Sequence, residues 1–359
     1  MLKVGLDGRL LQGKLTGVGK YVLNMLDYIC DHSSDINFII YTNRPLECKL
    51  RSGRVEVVQD SNLMAKVKPM VWSKLFMHRL INRNLPDVFL AGDTFVPLLS
   101  KCKKVVAVVH DFNAIIAPET MSRLRLITDK LFFKSDIKKA SAIICNSFGT
   151  ADKLKKYYNI DTTLVIHPIM DKQYRLVDPV LVNERLQSRG INYPYILTVS
   201  TQEPRKNMDK AIQAFIEAKK SPEMADYKML LVGSKGWKAD HIQQLIQSHK
   251  QDVLSLGYVD DELMPYIYSG AKLFVFPSSY EGFGMPAREA MLCGTNVLAT
   301  DMPELREASY EQAVYINPED GTAFAEQIVK LSKSGLLFAP GSLKNTDHIE
   351  SLIGAFLNV

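Results

Sequence analysis

The stretch KLFVFPSSYEGFGMPAREAM, residues 272–291, sets an apolar strand run, an irregular glycine turn and a helix start in direct succession. Proline is welcome in a first helical turn, so the helix is expected to begin near Met285 and Pro286. Glu281 then ends the irregular segment, and Glu289, eight positions on, falls about one and a half turns into the helix. This spacing lets one carboxylate meet the front of a ligand in the strand-to-helix crevice while the other meets its far end. Gly282 and Gly284 keep the backbone between them bare, so N–H groups at the helix start can approach a polar or anionic group.

The pattern repeats outward. After the helix come NVLAT and AVYIN, each followed by a helical pattern; before it stand YILTVST, KMLLVGS and VLSLGYV, alternating with NMDKAIQAFIEAKK, DHIQQLIQSHK and DELMPYIYS. Six strands alternating with helices specify one parallel sheet covered on both faces. The first half of the chain reads the same way. KVGLD, NFIIYTN, RVEVVQ, DVFLAG, KVVAVVH, AIICNS and TTLVIHP are strand candidates, and residues 70–84 and 122–140 carry helical patterns. The fold class is therefore α/β with two doubly wound parallel-sheet domains.

At 359 residues, 47% hydrophobic and 23% charged, the chain is long enough for two cores. Five scattered cysteines without C-x2-C spacing indicate neither a zinc site nor a disulfide framework. A net charge of +5 is too small to argue for nucleic acid as a partner. The first residues, MLKVGLDGRL, carry no signal-peptide core, and no run of 18 apolar residues occurs, so a cytoplasmic protein is expected.

Several residues invite chemistry on their own terms. Arg205 and Lys206, adjacent before a helix, combine a planar fork with a compact charge, as a diphosphate clamp requires, although a solvated loop pair reads the same way. His110 ends the fifth strand run, where open sheets place ligands, although a lone histidine at a strand end is more often structural. Gly17 and Gly19 lie in a glycine-rich segment between a strand and a helix, an arrangement that cradles anions but matches neither the dinucleotide nor the P-loop pattern, and on its own it reads more readily as a flexible loop. Gly233 ends KMLLVGS, where a ligand's close approach would explain the missing side chain. The helix over 122–140 bears Arg123, Arg125, Lys130, Lys134, Lys138 and Lys139 against Asp129 and Asp136. It suits either a solvated face or a docking surface for an anionic membrane or a lipid diphosphate, with Trp72, Phe76 and Arg79 nearby.

Residues 278–291, SSYEGFGMPAREAM, resemble the E-x7-E signature of the family 4 retaining glycosyltransferases, and TQEPRKN (201–207) is similar to that family's diphosphate-binding box. The resemblance implies the GT-B architecture, two Rossmann-like domains facing a cleft, over nearly the whole chain. It implies an acceptor-binding domain over 1–180, a nucleotide-sugar-binding domain over 190–335, and a tail, 336–359, whose HIESLIGAFL segment is a candidate helix crossing back to the first domain. By the same resemblance Arg205 and Lys206 bind the donor diphosphate. Glu281, Gly282, Phe283 and Gly284 hold the hexose, Glu289 takes the ribose hydroxyls, Tyr258 and Val259 lie beside the base, and His110 faces the sugar. TGVGKY (16–21), with Gly17 and Gly19, closes over donor phosphates or acceptor. The family's N-G-V-D-like turn is replaced by HPIMD at 167–171.

The expected activity is retaining transfer of a hexose, foremost mannose from GDP-mannose, onto a lipid-linked bacterial polysaccharide such as lipopolysaccharide O antigen. The alternatives are rhamnose from dTDP-rhamnose, glucose from UDP-glucose, or a catalytically silent binding subunit. No cofactor and no metal are expected, since D-x-D occurs nowhere in the chain. Peripheral contact with an anionic membrane at its cytoplasmic face is expected through the basic helix. Glu289→Ala should weaken nucleotide binding, whereas Glu281→Ala should spare it and cripple transfer.

Overall fold

The computed structural model describes residues 1–236 and 238–343, together with Ser351, Ile353, Gly354 and Phe356. The chain divides into one unit of residues 1–114, 121–169 and 345–359 and a second of residues 115–120 and 170–344. The division thus falls at Ile169 and Met170, ahead of the boundary expected at residue 180, so that residues 170–180 group with the second unit.

In the first unit β1 (Leu2–Asp7), β2 (Ile36–Thr42), β3 (Val55–Gln59), β4 (Val88–Ala91), β5 (Val105–Val109), β6 (Ala142–Cys145) and β7 (Leu164–Val165) form one sheet in the order β3-β2-β1-β4-β5-β6-β7. Every neighbouring pair is parallel. All four residues of β4 and all five of β5 are buried, as they must be where both faces of a sheet are covered. The tail contributes to this core. Phe356, helical and 1% exposed, lies within it and Ile353 packs against it. The rest of the candidate helix lies outside the described residues apart from Ser351 and Gly354.

In the second unit β8 (Tyr195–Val199), β9 (Lys228–Val232), β10 (Val253–Gly257), β11 (Leu273–Phe276), β12 (Val297–Thr300) and β13 (Val314–Ile316) run parallel in the order β10-β9-β8-β11-β12-β13. Alternate residues of each strand feed opposite layers. Phe274 and Phe276 join Leu197 and Leu230 in one core, while Leu273 and Val275 join Ile196, Leu231 and Leu298 in the other. Both sheets therefore have the Rossmann strand order, with a reversal of winding between β1 and β4 in the first and between β8 and β11 in the second.

Local departures from the sequence reading have local causes. Residues 70–84 form two helices, Pro69–Leu75 and His78–Asn84. Trp72, Lys74, Met77, Leu80 and Ile81 are all buried, and one straight helix would spread them over more than half its circumference. Trp72 is wholly enclosed, its indole N–H donating to Asp60 Oδ2 at 2.8 Å, and so forms no part of a docking surface. Gly17 and Gly19 sit in the first turn of the Gly17–His32 helix, not in a loop. Thr16 caps that helix by accepting from Gly19 N. A Cβ on Gly19 would lie 2.5 Å from Leu10 O, so close packing explains that glycine.

Candidate active site

The second unit gathers its charged residues where the winding reverses, at the carboxyl ends of β8 and β11. After β8 the chain passes through the tight turn Pro204–Lys206 and a left-handed Asn207 before the Met208–Ala218 helix. After β11 it enters the glycine turn, and the Met285–Leu292 helix begins at the expected residue. Hydrogen bonds to main-chain carbonyls brace the two segments. Ser279 N donates to Arg205 O at 2.8 Å, Asn207 Nδ2 donates to Pro277 O at 2.9 Å, and Arg205 Nη1 donates to Tyr280 O at 2.9 Å.

This bracing brings three of the expected residues together. Lys206 Nζ forms an ion pair with Glu281 Oε1, and Arg205 Nη1 lies 3.5 Å from Glu281 Oε2. The two cations thus already hold an anion, the carboxylate of Glu281, rather than standing open. Burial pushes the Glu281 pKa up, but Lys206 and Arg205 outweigh it and hold the carboxyl below its ordinary value. Burial lowers the Lys206 pKa, opposed by Glu281. Lys206 Nζ also lies 5.4 Å over the Phe276 ring.

The remaining residues of the stretch have separate settings. Gly284 adopts φ +104°, and a Cβ there would lie 2.4 Å from Leu305 Cδ2, so only glycine starts this helix. Phe283 is 3% exposed, and the Arg288 guanidinium lies 4.6 Å over its ring and 4.2 Å over that of Tyr310. Arg288 donates to the carbonyls of Ala308 and Glu307, tying its helix to the Pro303–Ala308 helix. The Phe283 ring is therefore part of the packing, and what remains to a ligand is its main chain. Gly282 is partly exposed. Glu289 is 6% exposed, and Tyr268, on the Met264–Gly270 helix, donates its hydroxyl to Glu289 Oε2 at 2.8 Å. Gly233 has φ +132°, and its Cβ would lie 2.0 Å from Ser200 O, so the neighbouring strand end is by itself a reason for the missing side chain. Tyr258 is 48% exposed, and Val259 packs at the edge of the core.

In the first unit His110 follows β5 with its Nε2 2.6 Å from Gly92 O. A carbonyl only accepts, so Nε2 carries the proton, and burial, which lowers the pKa, keeps the ring neutral with Nδ1 as its acceptor. Tyr21 packs edge-on against this ring at 4.9 Å. Beside it lies a charge cluster that the sequence reading missed. Arg9 Nη2 donates to Asp93 Oδ2 at 2.6 Å and Arg125 Nη1 donates to the same oxygen at 3.1 Å, while Arg9 Nε and Ser73 Oγ reach Asp7 Oδ2 at 3.3 and 2.6 Å. The signal was present in LDGR (6–9) and GDTF (92–95), acidic residues at the ends of β1 and β4, the two strands that flank the winding reversal.

The Arg123–Lys139 helix buries Asp136 and partly buries Arg125 and Asp129. Its exposed positions are Arg123, Lys130, Lys134, Lys138 and Lys139 together with Leu124, Ile127 and Leu131, 41%, 55% and 66% exposed.

Two family models match the chain, "Glycosyltransferase Family 4" over residues 15–174 and "Glycosyl transferases group 1" over residues 193–334. The chain is 28% identical over 257 residues to the O-antigen chain mannosyltransferase B of Escherichia coli, covering 69% of this chain and 66% of that protein. It is 25% identical over 283 residues to the O-antigen chain mannosyltransferase RfbU of Salmonella typhimurium, covering 77% and 75%. The structure of a sucrose-phosphate synthase from Thermosynechococcus elongatus superposes with a TM-score of 0.74 at 18% identity, covering 100% of this chain and 98% of that one, which shows the shared GT-B fold. With one model on each unit, the chain belongs to the family 4, or group 1, glycosyltransferases.

Proposed function

We propose that this glycosyltransferase moves mannose from GDP-mannose, with retention at the anomeric carbon, onto a saccharide acceptor carried on a lipid diphosphate in O-antigen-type polysaccharide synthesis. The observation that carries the reading is the meeting of Arg205, Lys206 and Glu281 where the β8–β11 winding reverses. Breaking the donor's anomeric C–O bond builds negative charge on the departing diphosphate, and two preorganised cations in a partly dry site stabilise that charge. No divalent ion is then needed. Glu281, released from the cations as the diphosphate takes its place, accepts from hexose hydroxyls beside the main chain of Gly282, Phe283 and Gly284. Glu289 accepts from the ribose hydroxyls, Tyr258 and Val259 lie along the base, and Gly233 borders the phosphates. His110 presents its Nδ1 acceptor to the sugar, and the helix start at Gly17 and Gly19 favours phosphate or acceptor oxygens. Support for mannose comes from the two O-antigen mannosyltransferase relatives.

Among the described residues, no helix is long and apolar enough to cross a membrane. Attachment at the cytoplasmic face through the Arg123–Lys139 helix fits a lipid-linked acceptor. A thermal-shift panel of GDP, UDP and dTDP tests the donor, because a ligand at a hundred times its Kd stabilises by about 2.7 kcal/mol. GDP should give the largest shift, and radiolabelled transfer from GDP-mannose should follow. A dominant shift with UDP or dTDP points to the glucosyl or rhamnosyl alternative, and binding without any transfer points to a silent subunit.

A further inference from the structure

Glu289 does not stand alone in its site. Tyr268, fully buried, donates to Glu289 Oε2 at 2.8 Å, and its ring is packed edge-on by Tyr174 at 6.1 Å and Phe274 at 5.6 Å between centroids. Two aromatic walls leave the phenol little freedom to swing, so the oxygen it donates to is fixed as well. Burial, and then the charge of Glu289, hold the Tyr268 hydroxyl well above its ordinary pKa, so it stays a donor at neutral pH. Nearby, Tyr174 is 6% exposed, and its hydroxyl has no hydrogen-bond partner among the described residues.

We propose that Tyr268 is a positioning residue: by fixing the plane of the Glu289 carboxylate it sets the direction in which Glu289 accepts from ribose, and so makes the site select ribonucleoside over 2′-deoxyribonucleoside diphosphates. The inference rests on the reading of Glu289 as the ribose ligand and adds what gives that ligand its selectivity. A carboxylate free to rotate relaxes onto whichever hydroxyl remains when the 2′ oxygen is missing. A carboxylate held on one side loses the contact outright, and one hydrogen bond to a charged group corresponds to about tenfold or more in affinity.

The test measures, by calorimetry on the full chain, the dissociation constants of GDP with 2′-deoxy-GDP and of UDP with 2′-deoxy-UDP. The parent chain should prefer the ribonucleotide by about tenfold. Tyr268→Phe, with its melting temperature showing a folded chain, should cut that preference to about twofold by weakening the ribonucleotide alone. p-Aminophenylalanine placed at position 268, close in shape and still a donor, should keep the preference. A merely structural role would weaken both members of a pair equally and leave their ratio unmoved, which overturns the proposal. Should Tyr268→Phe not fold, loss of the preference in the p-aminophenylalanine chain overturns it instead. Glu289→Gln separates the two levels. If Glu289→Gln removes the preference and Tyr268→Phe does not, the positioning role fails alone; if Glu289→Gln leaves it intact, the ribose reading fails first.

Discussion

At the scale of single residues, the most consequential contact is that of Glu281 with the cations expected to hold the donor diphosphate. If the donor diphosphate binds Lys206 and Arg205, it must first displace this carboxylate. Sequence alone suggests that losing Glu281 leaves nucleotide affinity untouched; the ion pair leads to a different expectation. Glu281→Gln is expected to tighten GDP about tenfold, by removing a competitor worth one charge-assisted hydrogen bond, while transfer from GDP-mannose falls by about a hundredfold. Titration calorimetry beside a radiolabelled transfer assay reads both, and weaker GDP binding would show that Glu281 does not compete. Asp93 poses the matching question in the first unit. Burial pushes its pKa up, yet Arg9 and Arg125 outweigh burial and hold it below the ordinary carboxylate value. A depressed native pKa contributes stability that is present above the unfolded value near 3.8 and is lost as pH falls through the lower native one. Asp93→Asn should therefore cost stability at pH 7, and the gap to the parent should close below about pH 3.8 in urea titrations. A gap that stays constant down to pH 2 would mean that the cost of the substitution is steric.

At the scale of elements, the Arg123–Lys139 helix shows what a charge count cannot. Read from composition, its cations and anions all contribute to one surface. In the fold Arg125 turns inward onto Asp93 and Asp129, and Asp136 pairs with the buried Lys74, so the exposed face has cations without carboxylates. The same face exposes Leu124, Ile127 and Leu131, spaced so that they line up along the helix. Apolar residues at the centre and lysines beside them suit the interface of an anionic bilayer better than open solvent. Each such cation contributes on the order of 1 kcal/mol near an anionic surface. Flotation with anionic vesicles should therefore recover the chain at low salt and lose it at 1 M salt, where the Debye length is about 3 Å. Lys130→Glu, Lys134→Glu and Lys138→Glu together should abolish recovery, and Ile127→Ser with Leu131→Ser should reduce it at unchanged charge. Recovery that ignores all five substitutions would leave the helix as an ordinary solvated face.

At the scale of the whole molecule, what was legible in the sequence is what repeats. Buried parallel strands must be apolar on both faces, so VVAVV and LFVF announce themselves, and their alternation with helices fixes the sheet type. The approach of Arg205 and Lys206 to Glu281 was legible only as proximity to a common ligand, because no periodicity reports that 75 residues of chain return to one point. The glycines carry a reason that the sequence does not show. Gly19 and Gly233 read as places of ligand approach, and in the fold each also has a carbonyl oxygen of its own chain where a Cβ would stand. The break between Leu75 and His78 was hidden because every residue around it suits a helix. The same long-range approach makes a claim about catalysis. If Arg205 and Lys206 meet the charge that a divalent ion would otherwise meet, excess chelator should leave transfer within about twofold of the untreated rate. Lys206→Ala, removing one preorganised contact worth roughly 3 kcal/mol, should slow kcat about a hundredfold, with no rescue by magnesium or manganese. Chelator-sensitive transfer restored by either ion would instead assign the leaving diphosphate to a metal and return Lys206 to the role of structural partner of Glu281.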